Sequence, residues 1–291
     1  MLLHGNETTG FLAVQRLLQQ HTRQRLPRSI SIFFGNTRAA ALGLRRLDSQ
    51  PDFNRIWPGT DTASCPETAL AGQIVDIMRA KKVFASIDIH NNTGLNPHYA
   101  CINKLDKRYL QLANLFGRLV VYFLRPLGVQ SAAFAEICPA VTLECGRPRQ
   151  QYGVDHAYAY LKDCIHLTEF ATHPTRTQDI DLFHTTAQVK IKENSSFSFN
   201  DPNAELLFDT EIERMNFTEI SAGTCFGSVL TDRTMPLCAI DEHGTDVSQQ
   251  FFKIDNKQLQ IKRNTMPSML TLDERVIRQD CLCYLMERIH L

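Results

Sequence analysis

F-A-S-I-D-I-H-N-N, residues 84–92, reads as a strand that runs straight into a polar cluster at His90. Outward from it, strand and helix patterns alternate. Toward the N-terminus, Glu67–Arg79 has helical spacing through Leu70, Ile74, Ile77 and Met78. Ile30–Phe34 reads as a strand ending at Gly35 and Asn36, and Phe11, Val14, Leu17 and Leu18 stripe a helix over 11–20. Toward the C-terminus, Tyr109–Leu124 reads as a helix and Val141–Cys145 as a short strand. Tyr158, Leu161, Ile165 and Leu167 mark a further helix. Such alternation predicts an α/β domain over residues 1–172, with a mostly parallel or mixed sheet covered by helices on both faces.

Beyond Pro174 the pattern changes to short alternating segments such as Q-V-K-I-K and S-F-S-F, separated by Asp-Pro-Asn, Asp-Glu-His-Gly and Asp-Asn-Lys turns. Residues 173–291 are therefore expected to form a small β-rich domain flanking the site. The segment I-R-Q-D-C-L-C-Y-L-M near the end fits strand or helix. Between Arg45 and Pro66 periodicity disappears, and Pro51, Pro58, Gly59 and Pro66 punctuate a long loop of the kind that carries function or is disordered.

Lysine plus arginine and aspartate plus glutamate each number 31, so the 291-residue chain has no net field to draw nucleic acid or an anionic membrane. A small-molecule partner is expected instead. No apolar run approaches the 18 or so residues of a membrane span, and no signal-peptide pattern precedes His4, which predicts a cytoplasmic protein. The nine cysteines are odd in number and scattered, and Cys281 and Cys283 are poorly spaced for zinc or redox work; reduced thiols are expected.

In a doubly wound sheet, ligands gather beyond the carboxyl ends of the strands. Four polar clusters fall at or beside such ends: H-G-N-E at 4–7, D-F-N-R at 52–55, D-I-H-N-N at 88–92 and L-E-C-G at 143–146. His4, Glu7 and His90 are metal-ligand candidates, because two imidazoles and a carboxylate suit Zn²⁺ with a fourth position open. Glu144 lies in an apolar strand, where a charge is costly unless paired or functional; it is a candidate general base or a partner of Arg147. Asn54, Arg55, Arg45 and Arg38 are either solvated surface groups or the means of gripping a carboxylate and stabilising an oxyanion.

H-G-N-E-T-T-G, R-R-L-D-S-Q-P-D-F-N-R, D-I-H-N-N-T and T-L-E-C-G, in this order and spacing, resemble the succinylglutamate desuccinylase and aspartoacylase family within the zinc carboxypeptidase fold. The resemblance covers the first 170 or so residues and extends more loosely to the β-rich remainder. It implies one zinc ion per chain held by His4, Glu7 and His90, with Glu144 as the catalytic carboxylate. It further implies that Arg45 polarises the scissile carbonyl and that Asn54 and Arg55 grip a substrate carboxylate.

The sequence departs from that pattern in three places. Two extra residues between the first arginine and Asn54-Arg55 allow Arg45 or Arg46 to take the polarising role. An arginine that relatives carry ten residues before the catalytic glutamate falls on Phe134, which would offer substrate an aromatic face and disfavour N-acetylaspartate. The strand that relatives place before the H-G-N-E turn is represented only by Met1, Leu2 and Leu3, so upstream residues or another segment would complete it, and a homo-oligomer covering that edge is one outcome.

The expected activity is zinc-dependent hydrolysis of the amide bond of an N-acyl amino acid or related small anionic amide. A carboxypeptidase acting on a peptide or cell-wall fragment, and a weakly catalytic carboxylate-binding relic of the fold, are the alternatives. Neither nucleic acid nor membrane is an expected partner.

Overall fold

Ser86–His90 forms β1, within a computed structural model that describes residues 1–173, 177–230 and 235–290. The chain divides into two units. The first comprises Met1–Asn91, His98–Leu182 and the chain end from Ile289. It holds helices α1 (Thr9–Gln20), α2 (Thr37–Ala41), α3 (Pro66–Arg79), α4 (Lys107–Asn114), α5 (Gln130–Ala135) and α6 (Gln151–His166). Its other strands are β2 (Tyr99–Ile102), β3 (Leu119–Tyr122) and β4 (Ala140–Glu144).

These four strands lie in the order β1-β4-β2-β3. β1 runs parallel to β4 and β2 parallel to β3, while β2 and β4 are antiparallel, so the sheet is mixed. Every residue of β4 is buried, as a central strand packed on both faces requires. Its register sets His90 opposite Glu144 and Glu144 opposite Tyr99, which brings two of the polar clusters onto adjacent strand ends. α1 packs against α6 and β1. The approach is close: a Cβ on Gly10 would stand 2.9 Å from the Cβ of Ile89. Glycine at this position lets the H-G-N-E turn sit beside the end of β1.

Two expected elements differ. Ile30–Phe34 forms no strand; next to it, the backbone N–H groups of Gly35 and Asn36 donate to the carbonyls of Met1 and Leu2 at 3.0 and 2.6 Å. That contact is too short to make a ladder. The single helix expected over Tyr109–Leu124 is instead α4 followed by β3, because the β-branched, aromatic run after Gly117 favours a pleated strand over a further helical turn.

The loop from 45 to 65 contains no helix or strand, yet it is anchored. Phe53, Ile56 and Trp57 are 7, 3 and 1% exposed and belong to the first unit's core. Each such burial contributes about 1.5–3 kcal/mol. Trp57 also donates from its indole N–H to the Phe53 carbonyl at 2.9 Å and from its backbone to Gly128 at 3.1 Å. The polar residues interleaved with these anchors are thereby held in place.

The second unit comprises Asn92–Pro97 and Phe183–Arg288. The change of texture expected beyond Pro174 starts in residues 174–176, which lie outside the described residues. The unit carries β5 (Asp181–Ile191), β6 (Phe197–Ser198), β7 (Leu206–Leu207), β8 (Cys225–Val229), β9 (Leu237–Asp241) and, after α7 (Ser248–Phe251), β10 (Phe252–Asp255), β11 (Gln258–Ile261) and β12 (Met266–Ser268). The ambiguous terminal segment resolves into both alternatives, α8 (Glu274–Gln279) and then β13 (Cys283–Ile289). One sheet of this unit runs β10-β11-β8-β7-β6; apart from it, β12 pairs antiparallel with β13 and β9 antiparallel with β5.

Phe208, Phe226, Phe251 and Phe252 lie in the core of this unit. All nine cysteines are free thiols. Among the described residues no helix is long and apolar enough to cross a membrane.

Candidate metal centre and active site

His4 and Glu7 belong to the turn before α1, and His90 ends β1. The structure brings them together, all buried, with one ligand atom from each lying within 4.8 Å of the others. Both imidazoles turn the same nitrogen inward: His4 Nδ1 lies 2.8 Å from Glu7 Oε1, and His90 Nδ1 lies 2.7 Å from Glu7 Oε2. Their outer nitrogens are each engaged by a carboxylate. His4 Nε2 is 3.0 Å from Asp52 Oδ1, and His90 Nε2 is 2.8 Å from Asp88 Oδ2.

A carboxylate behind a ligating imidazole fixes the ring's tautomer and orientation and raises its basicity. Sequence reading included Asp52 and Asp88 in the polar clusters without giving them this role. The signal for Asp88 was available, since residues i and i+2 of a strand share a face and so put Asp88 beside His90. Asp52 comes from a loop 48 residues away from His4, and no local pattern predicts that pairing.

The electrostatics suit a cation. Burial and Arg45 both disfavour a charged His4, but Glu7 and Asp52 outweigh them and raise its pKa. His90 is also buried, yet Asp88 and Glu7 hold its pKa well above the ordinary histidine value. Burial works against ionised Glu7, and the two histidines overcome it and keep the carboxylate charged. The carboxylates around both imidazoles thus favour positive charge at this point of the fold. The nitrogen and oxygen donors, their burial and their carboxylate backing fit zinc.

Zinc competes with protons for these imidazoles, so its affinity is expected to fall as pH drops. Chelator competition at pH 6, 7 and 8, with proton release followed in weak buffer, measures this; a pH-independent affinity would exclude His4 and His90 as the ligands.

Glu144, at the end of β4, is 8% exposed. Burial pushes its carboxyl up to about 7; the nearby histidines oppose the shift, and Glu7 and Asp88 add to it. A carboxyl poised there exchanges protons readily near neutrality.

Arg45 settles which of the two arginines reaches the cluster. Its Nη1 is 3.6 Å from Glu7 Oε1 and its Nη2 is 3.2 Å from Asp52 Oδ2, whereas Arg46 Nη1 donates to the Gln50 carbonyl at 3.0 Å. Asn54 is buried, and its Oδ1 accepts from the Gln130 backbone at 3.0 Å. Half-buried Arg55 donates to the Asn54 carbonyl at 2.8 Å and lies close enough to Asp52 to help keep that carboxylate ionised.

Phe134, expected at the substrate, is 5% exposed, belongs to the first unit's core, and packs edge-on to Trp57 with ring centroids 5.9 Å apart.

Comparison with known proteins bears on the fold and the family. The chain resembles in fold the succinylglutamate desuccinylase of Chromobacterium violaceum, with TM-score 0.63 and 17% identity over 99% of this chain and 83% of that one. It likewise resembles murine aminoacylase 3, with TM-score 0.63 and 15% identity over 99% and 93% of the two chains. A succinylglutamate desuccinylase/aspartoacylase from Rhodobacter sphaeroides gives TM-score 0.61 and 16% identity over 99% and 84%. No curated protein sequence matches the chain. The family model of the succinylglutamate desuccinylase/aspartoacylase catalytic domain matches residues 3–157, more than half of the chain and the span that supplies every group of the cluster, and the protein belongs to that family.

Proposed function

We propose that this protein is a zinc-dependent hydrolase that cleaves the amide bond of an N-acyl amino acid or a related small carboxylate-bearing amide. The observation that carries the reading is that His90, which clusters with His4 and Glu7, and Glu144 stand opposite each other on neighbouring strand ends. Relatives named for desuccinylation and aminoacylation support small acylated amino acids as the substrate class.

When bound, zinc would be held by His4, Glu7 and His90 and would supply Lewis acidity. Glu144 takes a proton from the water that attacks the scissile carbonyl and returns it to the departing amine nitrogen. Its elevated pKa matches both halves of that exchange. Arg45 places positive charge where the carbonyl oxygen gains negative charge. Asp52 and Asp88 keep the two imidazoles oriented. Arg55 binds a substrate carboxylate, joined by Asn54, whose side-chain oxygen is engaged by Gln130 and whose amide nitrogen is the group it can offer an anion.

A panel of N-succinyl and N-acetyl amino acids set against short peptides tests the reading on the zinc-loaded chain. At least one N-acyl amino acid should be preferred over every peptide, and Arg55→Ala should raise its KM by about 10–100-fold, the value of a charged hydrogen bond. Preference for peptides would favour a carboxypeptidase instead.

A further inference from the structure

Asn91 follows the ligand His90 in sequence, is 4% exposed, and uses its backbone and side chain on three different parts of the site. Its backbone N–H donates to Glu7 Oε2 at 3.2 Å. Its side-chain Nδ2 donates both to Thr9 Oγ1 and to the Gly146 carbonyl, each at 2.9 Å, while Oδ1 accepts from the Thr9 N–H at 3.3 Å.

Two of these contacts meet backbone at the start of α1 and beyond the end of β4. Thr8, the residue before α1, makes no side-chain cap, and the first N–H of the helix donates to Asn91, the residue after β1. Gly146 has φ +69, a conformation that favours glycine, and lies two residues beyond Glu144, where the chain leaves the sheet and its carbonyl accepts from Asn91.

From this geometry we infer that Asn91 is a positioning residue for the hydrolysis: it ties the turn bearing Glu7 to the strand exit behind Glu144, and so fixes the metal ligand relative to the catalytic carboxylate. The inference rests on the hydrolase reading. An alanine would keep the backbone N–H to Glu7 but remove the side-chain bonds to Thr9 and Gly146, without changing charge. An aspartate of the same shape would keep the acceptor for the Thr9 N–H but lose the amide donor to Thr9 Oγ1 and Gly146 and set a carboxylate oxygen against the Gly146 carbonyl.

Both variants are compared with wild type in the full chain. The readouts are zinc affinity by chelator competition, kcat and KM at saturating zinc on the best N-acyl amino acid, and Tm of the zinc-free protein. Loss of an outer-shell partner costs about 10–100-fold, so Asn91→Ala should lower kcat by about that factor and weaken zinc about tenfold, with KM within about threefold. Asn91→Asp should lower kcat similarly.

A lower Tm with kcat within about threefold of wild type at saturating zinc would mean that Asn91 only supports the fold, and would overturn the inference. Should wild type hydrolyse nothing in the panel, the hydrolase reading fails by itself. The zinc measurement then decides the side-chain tie through Thr9 to the turn bearing Glu7: unchanged affinity in Asn91→Ala overturns it, and a tenfold loss upholds it.

Discussion

Glu144→Gln is expected to lower kcat by about 10²–10⁴-fold, the usual contribution of a positioned general acid-base group, while the protein keeps its zinc. Glutamine preserves size and hydrogen bonding in the buried strand end but cannot take a proton from water. The wild-type rate should rise with pH as this carboxyl ionises, with a midpoint that bound zinc lowers from the value of about 7 that burial gives it in the protein alone. Stability should move the other way. A carboxyl with a raised pKa in the folded state destabilises it as pH climbs above the ordinary value of 4.5, and does so fully above about 7.

The metal-free variant should accordingly be more stable than wild type at pH 8, by about 3 kcal/mol at most. Elemental analysis, a pH-rate profile and denaturant titration test the three parts. An active Glu144→Gln enzyme with zinc in place would remove Glu144 from the mechanism.

His90→Ala is expected to empty the centre, weakening zinc by more than the roughly 100-fold upper range of losing an outer-shell partner. It takes away one ligand atom and also leaves two buried carboxylates, Glu7 and Asp88, without the imidazole that separates them. Losing one partner of a buried ion pair costs up to about 3–5 kcal/mol; His4 and Arg45 still face Glu7 and the N-terminal ammonium still faces Asp88, so the alanine variant should be less stable at neutral pH by less than that. His90→Gln restores a donor and much of the volume, and it separates the effects: it should recover much of the stability and little of the zinc. Equal zinc in wild type and both variants would place the metal elsewhere.

Most of the element pattern was legible because periodicity is a local property. The strand at 86–90, the strand before Gly146 and the helices at 9–20, 66–79 and 151–166 all follow from apolar spacing and from glycine or proline punctuation. Tyr109–Leu124 failed because an apolar run carries both periods when it is short, and only the pairing of Ala100–Ile102 with Val120–Tyr122 selects a strand for its second half. Ile30–Phe34 failed for the complementary reason: strand propensity without a ladder partner makes no strand.

The chain by itself offered the candidates for the site, since His90 and Glu144 end strands, Asn54 and Arg55 lie in the anchored loop, and His4 and Glu7 lie in the polar turn before the first helix. Tertiary structure decided what each one touches. It chose Arg45 over Arg46, gave Asp52 and Asp88 to the imidazoles, joined Asn91 to Glu7 and Gly146, and sent Phe134 into the core beside Trp57. Those choices depend on contacts between residues far apart in sequence, whose energies exist only once the sheet register and the buried loop anchors have brought the groups within hydrogen-bonding distance.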